Sequence, residues 1–257
     1  MNLGIKNKKA LVTGAGRGLG RAIALELAKE GAKVVAISRR RLYLESLLKE
    51  LGGRRQGHFI LDADLTKDGM PEKVYTNIRK HFGEIDILVN NLGDTLDIRD
   101  PYCSIADWRR IWRINMEVAI ETDNLVIPFM RKKRWGRIVN ISSIAALENQ
   151  GPVPYCTIKA ALNAYTRSMG RVVAPEGIIM TSVLPGAVYT EGGYWDITSK
   201  KNPEHVRKYL SERMAIKRFG KPGEVAAVVA FLCSEQASFC VGSAVAVDGG
   251  QGRVFFK

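Results

Sequence analysis

Tyr155 and Lys159 stand four positions apart in a stretch of helical character, Tyr155-Cys156-Thr157-Ile158-Lys159, so the spacing puts both side chains on one helix face. A phenol so placed is a candidate acid. Tyrosine has an ordinary pKa of about 10, and bringing it towards 7 takes roughly 4 kcal/mol of preferential stabilisation of the phenolate. A neighbouring ammonium supplies stabilisation of that sign. Such a phenol gives a proton to a carbonyl oxygen as a hydride arrives, or takes one from an alcohol in reverse. Because Tyr-x-x-x-Lys recurs by chance, the pair needs support from elsewhere in the chain.

That support begins at Thr13-Gly14-Ala15-Gly16-Arg17-Gly18-Leu19-Gly20, which follows the first strand-like run and leads into a helix at Arg21. Glycines at Gly14, Gly18 and Gly20 permit a tight turn, a close approach to a pyrophosphate and close packing of helix on strand. The free N–H groups and dipole at the helix start favour an anion. Which dinucleotide fits is read at the end of the second strand, where an acidic residue would bind a ribose 2′-hydroxyl. Ser38 holds that place, with Arg39, Arg40 and Arg41 after it and Arg17 in the turn. Guanidinium groups suit a 2′-phosphate, so the expected cofactor is NADP(H) rather than NAD(H).

The elements that must position these residues repeat as short Val- and Ile-rich runs, each followed by a helical stretch. Strands are expected at Lys9 to Thr13, Lys33 to Ser38, His58 to Asp62, Asp86 to Asn90, Arg137 to Ser142, Ile178 to Leu184 and Ala244 to Val247. Helices are expected at about Leu19 to Glu30, Leu42 to Leu51, Pro71 to Phe82, Ile105 to Met130, Tyr155 to Ala174 and Gly223 to Ser234. The fold class is therefore α/β, a Rossmann-type doubly wound parallel sheet of seven strands with helices on both faces, in a single dinucleotide-binding domain over 1–257. Ligands in such sheets bind beyond the carboxyl ends of the strands. The longest irregular stretch, Gly186 to about Lys201, falls on that edge and is the expected substrate lid.

Composition excludes several classes. At 46% hydrophobic and 25% charged, the chain is an ordinary globular one, with no apolar run of the roughly 18 residues that span a bilayer. Met1 to Lys9 leaves no room for a signal peptide's apolar segment, so the expected location is cytoplasmic. Cys103, Cys156, Cys233 and Cys240 lack metal-ligand spacing, so no metal is expected. The net charge of +13 favours anionic ligands, but the dense run Arg131 to Arg134 reads as a solvated helix end and no nucleic-acid signature accompanies it.

With the glycine turn, Asn90-Asn91-Leu92-Gly93, Asn115, Asn140-Ile141-Ser142-Ser143, Pro185-Gly186 and the closing Val247-Asp248-Gly249-Gly250, the sequence resembles the short-chain dehydrogenase/reductase family from about Lys9 to Gly250. The resemblance implies a catalytic tetrad of Asn115, Ser143, Tyr155 and Lys159. Ser143 would hold the substrate oxygen, Lys159 would bind the nicotinamide ribose and lower the tyrosine pKa, and Asn115 would hold a water of the proton path. It also implies Asp64 and Leu65 beside the adenine, Asn91 near the ribose, and Val188 and Thr190 near the nicotinamide.

The chain departs from the family pattern in places. The usual interval of thirteen from serine to tyrosine selects Ser142, whereas the strand-end match selects Ser143; we take Ser143, because a loop loses a residue more easily than a strand slips register. Leu92, Ile158 and Thr181 replace the alanine, serine and asparagine common at their places.

For the substrate, the resemblance implies a 3-oxoacyl thioester on an acidic carrier protein, or a small or sugar-linked ketone. Positive charge favours the carrier; Pro175-Glu176 disfavours it. Tyr194 and Trp195 offer an apolar surface or local packing anchors, and Asp94, Gln150 and His205 are candidate polar contacts. A homotetramer packed through Ile105 to Met130 and Tyr155 to Ala174 is implied as well. The reading from a different class is a catalytically silent dinucleotide sensor on the same fold.

Overall fold

Residues buried on both faces of a sheet are mostly apolar, and the Val- and Ile-rich runs meet that condition apart from hydrogen-bonded positions such as Asn90, Arg137 and Asn140. In the computed structural model, which describes residues 2–254, seven strands pair in parallel in the order β3-β2-β1-β4-β5-β6-β7. They are β1 (Lys9–Thr13), β2 (Lys33–Ser38), β3 (Phe59–Asp62), β4 (Ile87–Asn90), β5 (Gly136–Ile141), β6 (Ile178–Pro185) and β7 (Ala244–Val247). Residue 1 and residues 255–257, part of the span expected to form one domain, lie outside the described residues.

Helices cover both faces. Along β2, Val34 and Ala36 pack into one core cluster with Ile23 and Leu27 of α1 (Gly18–Lys29) and Val229 of α9 (Pro222–Leu232). Val35 and Ile37, pointing the other way, join Ile78 of α3 (Met70–His81) and Val126 of α5 (Val118–Lys133). The remaining helices are α2 (Arg41–Glu50), α4 (Ile105–Trp112), α6 (Val153–Val173), α7 (Tyr194–Lys201) and α8 (Pro203–Arg213). No helix among the described residues is long and apolar enough to cross a membrane.

Two expectations change. The single helix over Ile105 to Met130 is α4 and α5 joined by a π-helical turn, Arg113–Glu117, which carries Asn115. Such wide turns inside helices gather at functional sites. The stretch after Gly186 is irregular only as far as Gly193; α7 and α8 follow. The start of α8 had a readable signal, since Asn202 caps it by accepting from His205 N and Pro203 occupies its first turn.

The chain runs outward from β1 through β2 and β3, then returns to the other side of β1 with β4, so the carboxyl ends of β1 and β4 flank the switch point. Thr13 staples it: its Oγ1 accepts from Asn91 N at 3.0 Å and from Leu92 N at 3.1 Å. A second polar tie lies beneath. Asn90 accepts from Thr122 Oγ1 and donates to Asp123 and Asn140, and Asn140 donates to Thr166 of α6. Every one of these side chains is buried, so each bond replaces water that the core excludes. Burial pushes the Asp123 carboxyl up to about 7.

Candidate active site

Tyr155 lies in the first turn of α6, and Lys159, one turn on, is buried with Nζ donating to Ile141 O of β5 at 2.9 Å. Lys159 Nζ stands 5.6 Å from the centre of the Tyr155 ring. Gly93, just beyond β4, leaves room for both ends of the group: a Cβ there would fall 2.7 Å from Asn115 Oδ1 and 3.0 Å from Lys159 Nζ. Asn115 is itself fixed, donating to Asp94 O at 2.8 Å and to Ile111 O at 2.9 Å while accepting from Asp94 N. The two serines at the end of β5 point differently. Ser142 is buried and gives its hydroxyl to Lys159 O at 3.2 Å, whereas the Ser143 hydroxyl, which accepts from Ala145 N at 3.1 Å, lies close enough to Tyr155 to favour its phenolate. Ser143→Ala is therefore expected to cut kcat about 10- to 100-fold. Ser142→Ala should cut it far less, and parallel turnover assays giving the reverse order would move the substrate contact to Ser142.

The electrostatics differ from the sequence expectation. Burial pushes Tyr155 up to about 12, with the Ser143 hydroxyl pulling against it and the charge of Asp94 adding to the rise. Burial also pushes Lys159 down to about 8. The Lys159 ammonium does not contribute to the shift of the phenol, its Nζ being turned to Ile141 O. A neutral phenol beside a lysine that is mostly charged at pH 7 is arranged as a proton donor.

Beside this group, starting at Gly93 and Asp94, a cleft of about 360 Å³ runs across the switch point to the end of β2; Asn115, Ser143, Tyr155 and Lys159 stand behind its lining, not in it. Gly14, Gly18, Leu19 and Gly20 line it with Arg17. Gly14 holds φ +66°, and a Cβ on Gly20 would fall 2.4 Å from Asn91 Nδ2 and 2.5 Å from Gly14 O, so the turn closes against the strand only without side chains there. Ser38, Arg39, Asp64, Leu65, Asn91 and Thr190 also line the cleft. Of the arginine run, Arg41 is withdrawn into pairs with Glu45 and Asp62, while Arg39 and Arg40 both line the cleft, Arg40 lying on Tyr43. Arg17 reaches across to Gly192 O at 3.4 Å. A chain of N–H groups at a helix start, flanked by guanidinium groups, suits an elongated phosphorylated ligand.

Val188 does not join the lining; it bridges to Gly220 and packs against the core. Residues that the sequence reading passed over do join it, among them Tyr43, Thr66, Ile114 and Gly193. Thr66 had a signal, two positions after Asp64, whose carboxylate accepts from its N–H and hydroxyl. Arg113 braces this side by donating to Thr66 O and Leu65 O while pairing with Glu121.

On the lid, Trp195 is a packing anchor, its ring 4.3 Å from Tyr209 and 4.8 Å from Phe219 between centroids. Tyr194 stays exposed with Arg99 over its face. His205 is exposed on α8, and Gln150 is held by Glu148 and Gln251, so of the three polar candidates Asp94 alone lines the cleft. Among the described residues no cluster of three or more His, Cys, Asp or Glu could hold a metal. The run at Arg131 to Arg134 is largely tied down, Arg131 to Glu176, Lys133 to Asp86 and Arg134 to Pro175 O.

Comparison with known proteins bears on this arrangement as a whole. The family model described as Enoyl-(Acyl carrier protein) reductase matches residues 14–251. The chain is 36% identical over 255 residues to the 3-oxoacyl-(acyl-carrier-protein) reductase FabG of Aquifex aeolicus, covering 97% of this chain and 99% of that one. It is 37% identical over 247 residues to the FabG of Buchnera aphidicola, covering 96% and 98%. Among solved structures, L-sorbose reductase from Gluconobacter frateurii in complex with NADPH and L-sorbose superimposes with a TM-score of 0.91 at 31% identity, covering 99% and 100%. With matches that run the length of the sheet and its helices, the chain belongs to the short-chain dehydrogenase/reductase family and is an oxidoreductase acting on a carbonyl or CH–OH group.

Proposed function

We propose that the protein reduces a ketone to a secondary alcohol with NADPH, Tyr155 giving the proton. The observation that carries this reading is the gathering of Asn115 and Lys159 beside Gly93, with Tyr155 one turn before Lys159, next to a glycine-lined cleft whose far end carries Arg39 and Arg40 and no carboxylate at Ser38. NADPH, when bound, supplies the hydride. The chain's residues do the rest. Gly14, Gly18, Leu19 and Gly20 hold the pyrophosphate against the start of α1, Arg17 and Arg39 hold the 2′-phosphate with Ser38 beside it, and Asp64 and Leu65 flank the adenine.

Asn91 and Lys159 hold the riboses, and Thr190 closes over the nicotinamide end. Ser143 donates to the carbonyl oxygen, and Tyr155, kept neutral by burial, hands over its proton as charge develops there. Asn115 fixes the loop at Asp94 and the proton path behind Lys159. In this reading the protein assembles as a homotetramer through α4, α5 and α6, whose surface shows Ile105, Trp112 and Val172.

Two substrate classes enter through the relatives: a 3-oxoacyl thioester on a carrier, from FabG, and a free hydroxylated ketone, from L-sorbose reductase. The cofactor half is tested by steady-state rates with NADPH and NADH on a panel of both classes. NADPH is expected to give a kcat/KM at least about tenfold higher, and Arg39→Ala to erase most of that advantage, the size of one charge-assisted contact. NADH equal to or better than NADPH would overturn the preference.

A further inference from the structure

Asp94 is exposed at the end of the cleft nearest the proton-transfer group. It lines the cleft next to Gly93, and its carboxylate acts on the Tyr155 phenol. Its backbone is clamped on both sides by Asn115, which donates to Asp94 O at 2.8 Å and accepts from Asp94 N at 3.2 Å, so the carboxylate is presented from a fixed point. One oxygen is used locally, Oδ1 accepting from Leu96 N at 2.9 Å. Oδ2 takes no hydrogen bond among the described residues, and no lysine or arginine pairs with the group there.

A carboxylate held there selects by chemistry. It accepts from a hydroxyl next to a reacting carbonyl, whereas an apolar acyl chain laid against it would displace its water and return no hydrogen bond. A site built to receive a substrate hydroxyl rejects the analogue that lacks it far more strongly than an apolar pocket rejects an extra group. Resting on the NADPH-dependent ketone reduction proposed above, we propose that Asp94 is a specificity-determining residue that receives a hydroxyl of the substrate, so that the preferred substrate is a polyhydroxylated ketone and not a 3-oxoacyl chain. Gln150 does not supply this contact, since its amide is engaged by Glu148 and Gln251.

The test compares three probes with NADPH: a ketohexose such as L-sorbose, the unsubstituted ketone 2-hexanone, and acetoacetyl-CoA. The wild-type protein is expected to favour the ketohexose. Asp94→Leu should lower kcat/KM for it about 10- to 100-fold, mostly through KM, while the NADPH Kd stays within about twofold. For 2-hexanone and the thioester the same change should leave kcat/KM equal or raise it, and Asp94→Asn, which keeps an acceptor oxygen, should recover part of the ketohexose activity. Wild-type preference for the thioester, or an equal loss on all three probes, overturns the role of Asp94 while leaving ketone reduction standing. Tight NADPH binding with no NADPH oxidation on any of the three overturns the ketone-reductase reading itself, and this proposal with it.

Discussion

Replacing Tyr155 with phenylalanine is expected to lower kcat for carbonyl reduction by about 10²- to 10⁴-fold, the range supplied by a positioned general acid. The substitution keeps the ring that packs at the start of α6 and removes only the hydroxyl that lies close to Ser143. NADPH affinity should therefore hold, because the glycine turn and Arg39 lie at the far side of the cleft. Single-turnover rates at saturating NADPH and ketone, with fluorescence titration of NADPH, separate the two quantities. A loss of less than about tenfold would mean that another group or a water delivers the proton.

Lys159 carries the second large effect. Its ammonium is pushed down to about 8 by burial, while the Tyr155 phenol is pushed up to about 12 by the same cause. The signs decide the pH profile. Below about pH 8 both groups hold their protons, which is the state that donates; above it Lys159 goes neutral first, with Tyr155 still protonated. The kcat/KM for reduction in free enzyme should be flat at neutral pH and fall about tenfold per pH unit above about 8. Tyr155→Phe should keep that alkaline limb at its reduced rate, since the limb belongs to the lysine. Lys159→Met should abolish it and lower kcat about 10²- to 10³-fold, the size of a lost preorganised charge. A wild-type profile flat to pH 10 would mean that the charge on Lys159 does not matter to the reaction.

The parts of this site that were legible in the sequence are those set by neighbours along the chain. Tyr155 and Lys159 share a helix face because they are one turn apart, and the glycine turn precedes α1 because glycine takes φ +66° at Gly14 without strain and alone allows the close approach at Gly20. The strands could be read from their burial requirement, since both faces of the sheet are covered. What could not be read depends on contacts distant in sequence. Val188 bridges to Gly220, more than thirty residues on, a contact that its spacing from Pro185-Gly186 does not encode. The direction of the Tyr155 shift depends on how dry its surroundings are, which the four-residue spacing does not encode. The helix α7 was hidden because Gly192-Gly193 and a mixture of aromatic and hydroxyl residues mask its period. The π-helical turn was hidden for a related reason: widening one turn leaves an apolar pattern that still reads as a single helix.

That turn has a mechanical meaning for the enzyme. Arg113 at its start grips the carbonyls of Leu65 and Thr66, on the wall proposed for the adenine, and Asn115 two residues later grips Asp94, on the wall where the substrate would stand. The two halves of the cleft thus hang from one loop of backbone, like two shelves on a single bracket. A substitution at Arg113 is therefore expected to be felt at Asp94 as well as at Leu65 and Thr66, since one turn ties down both walls.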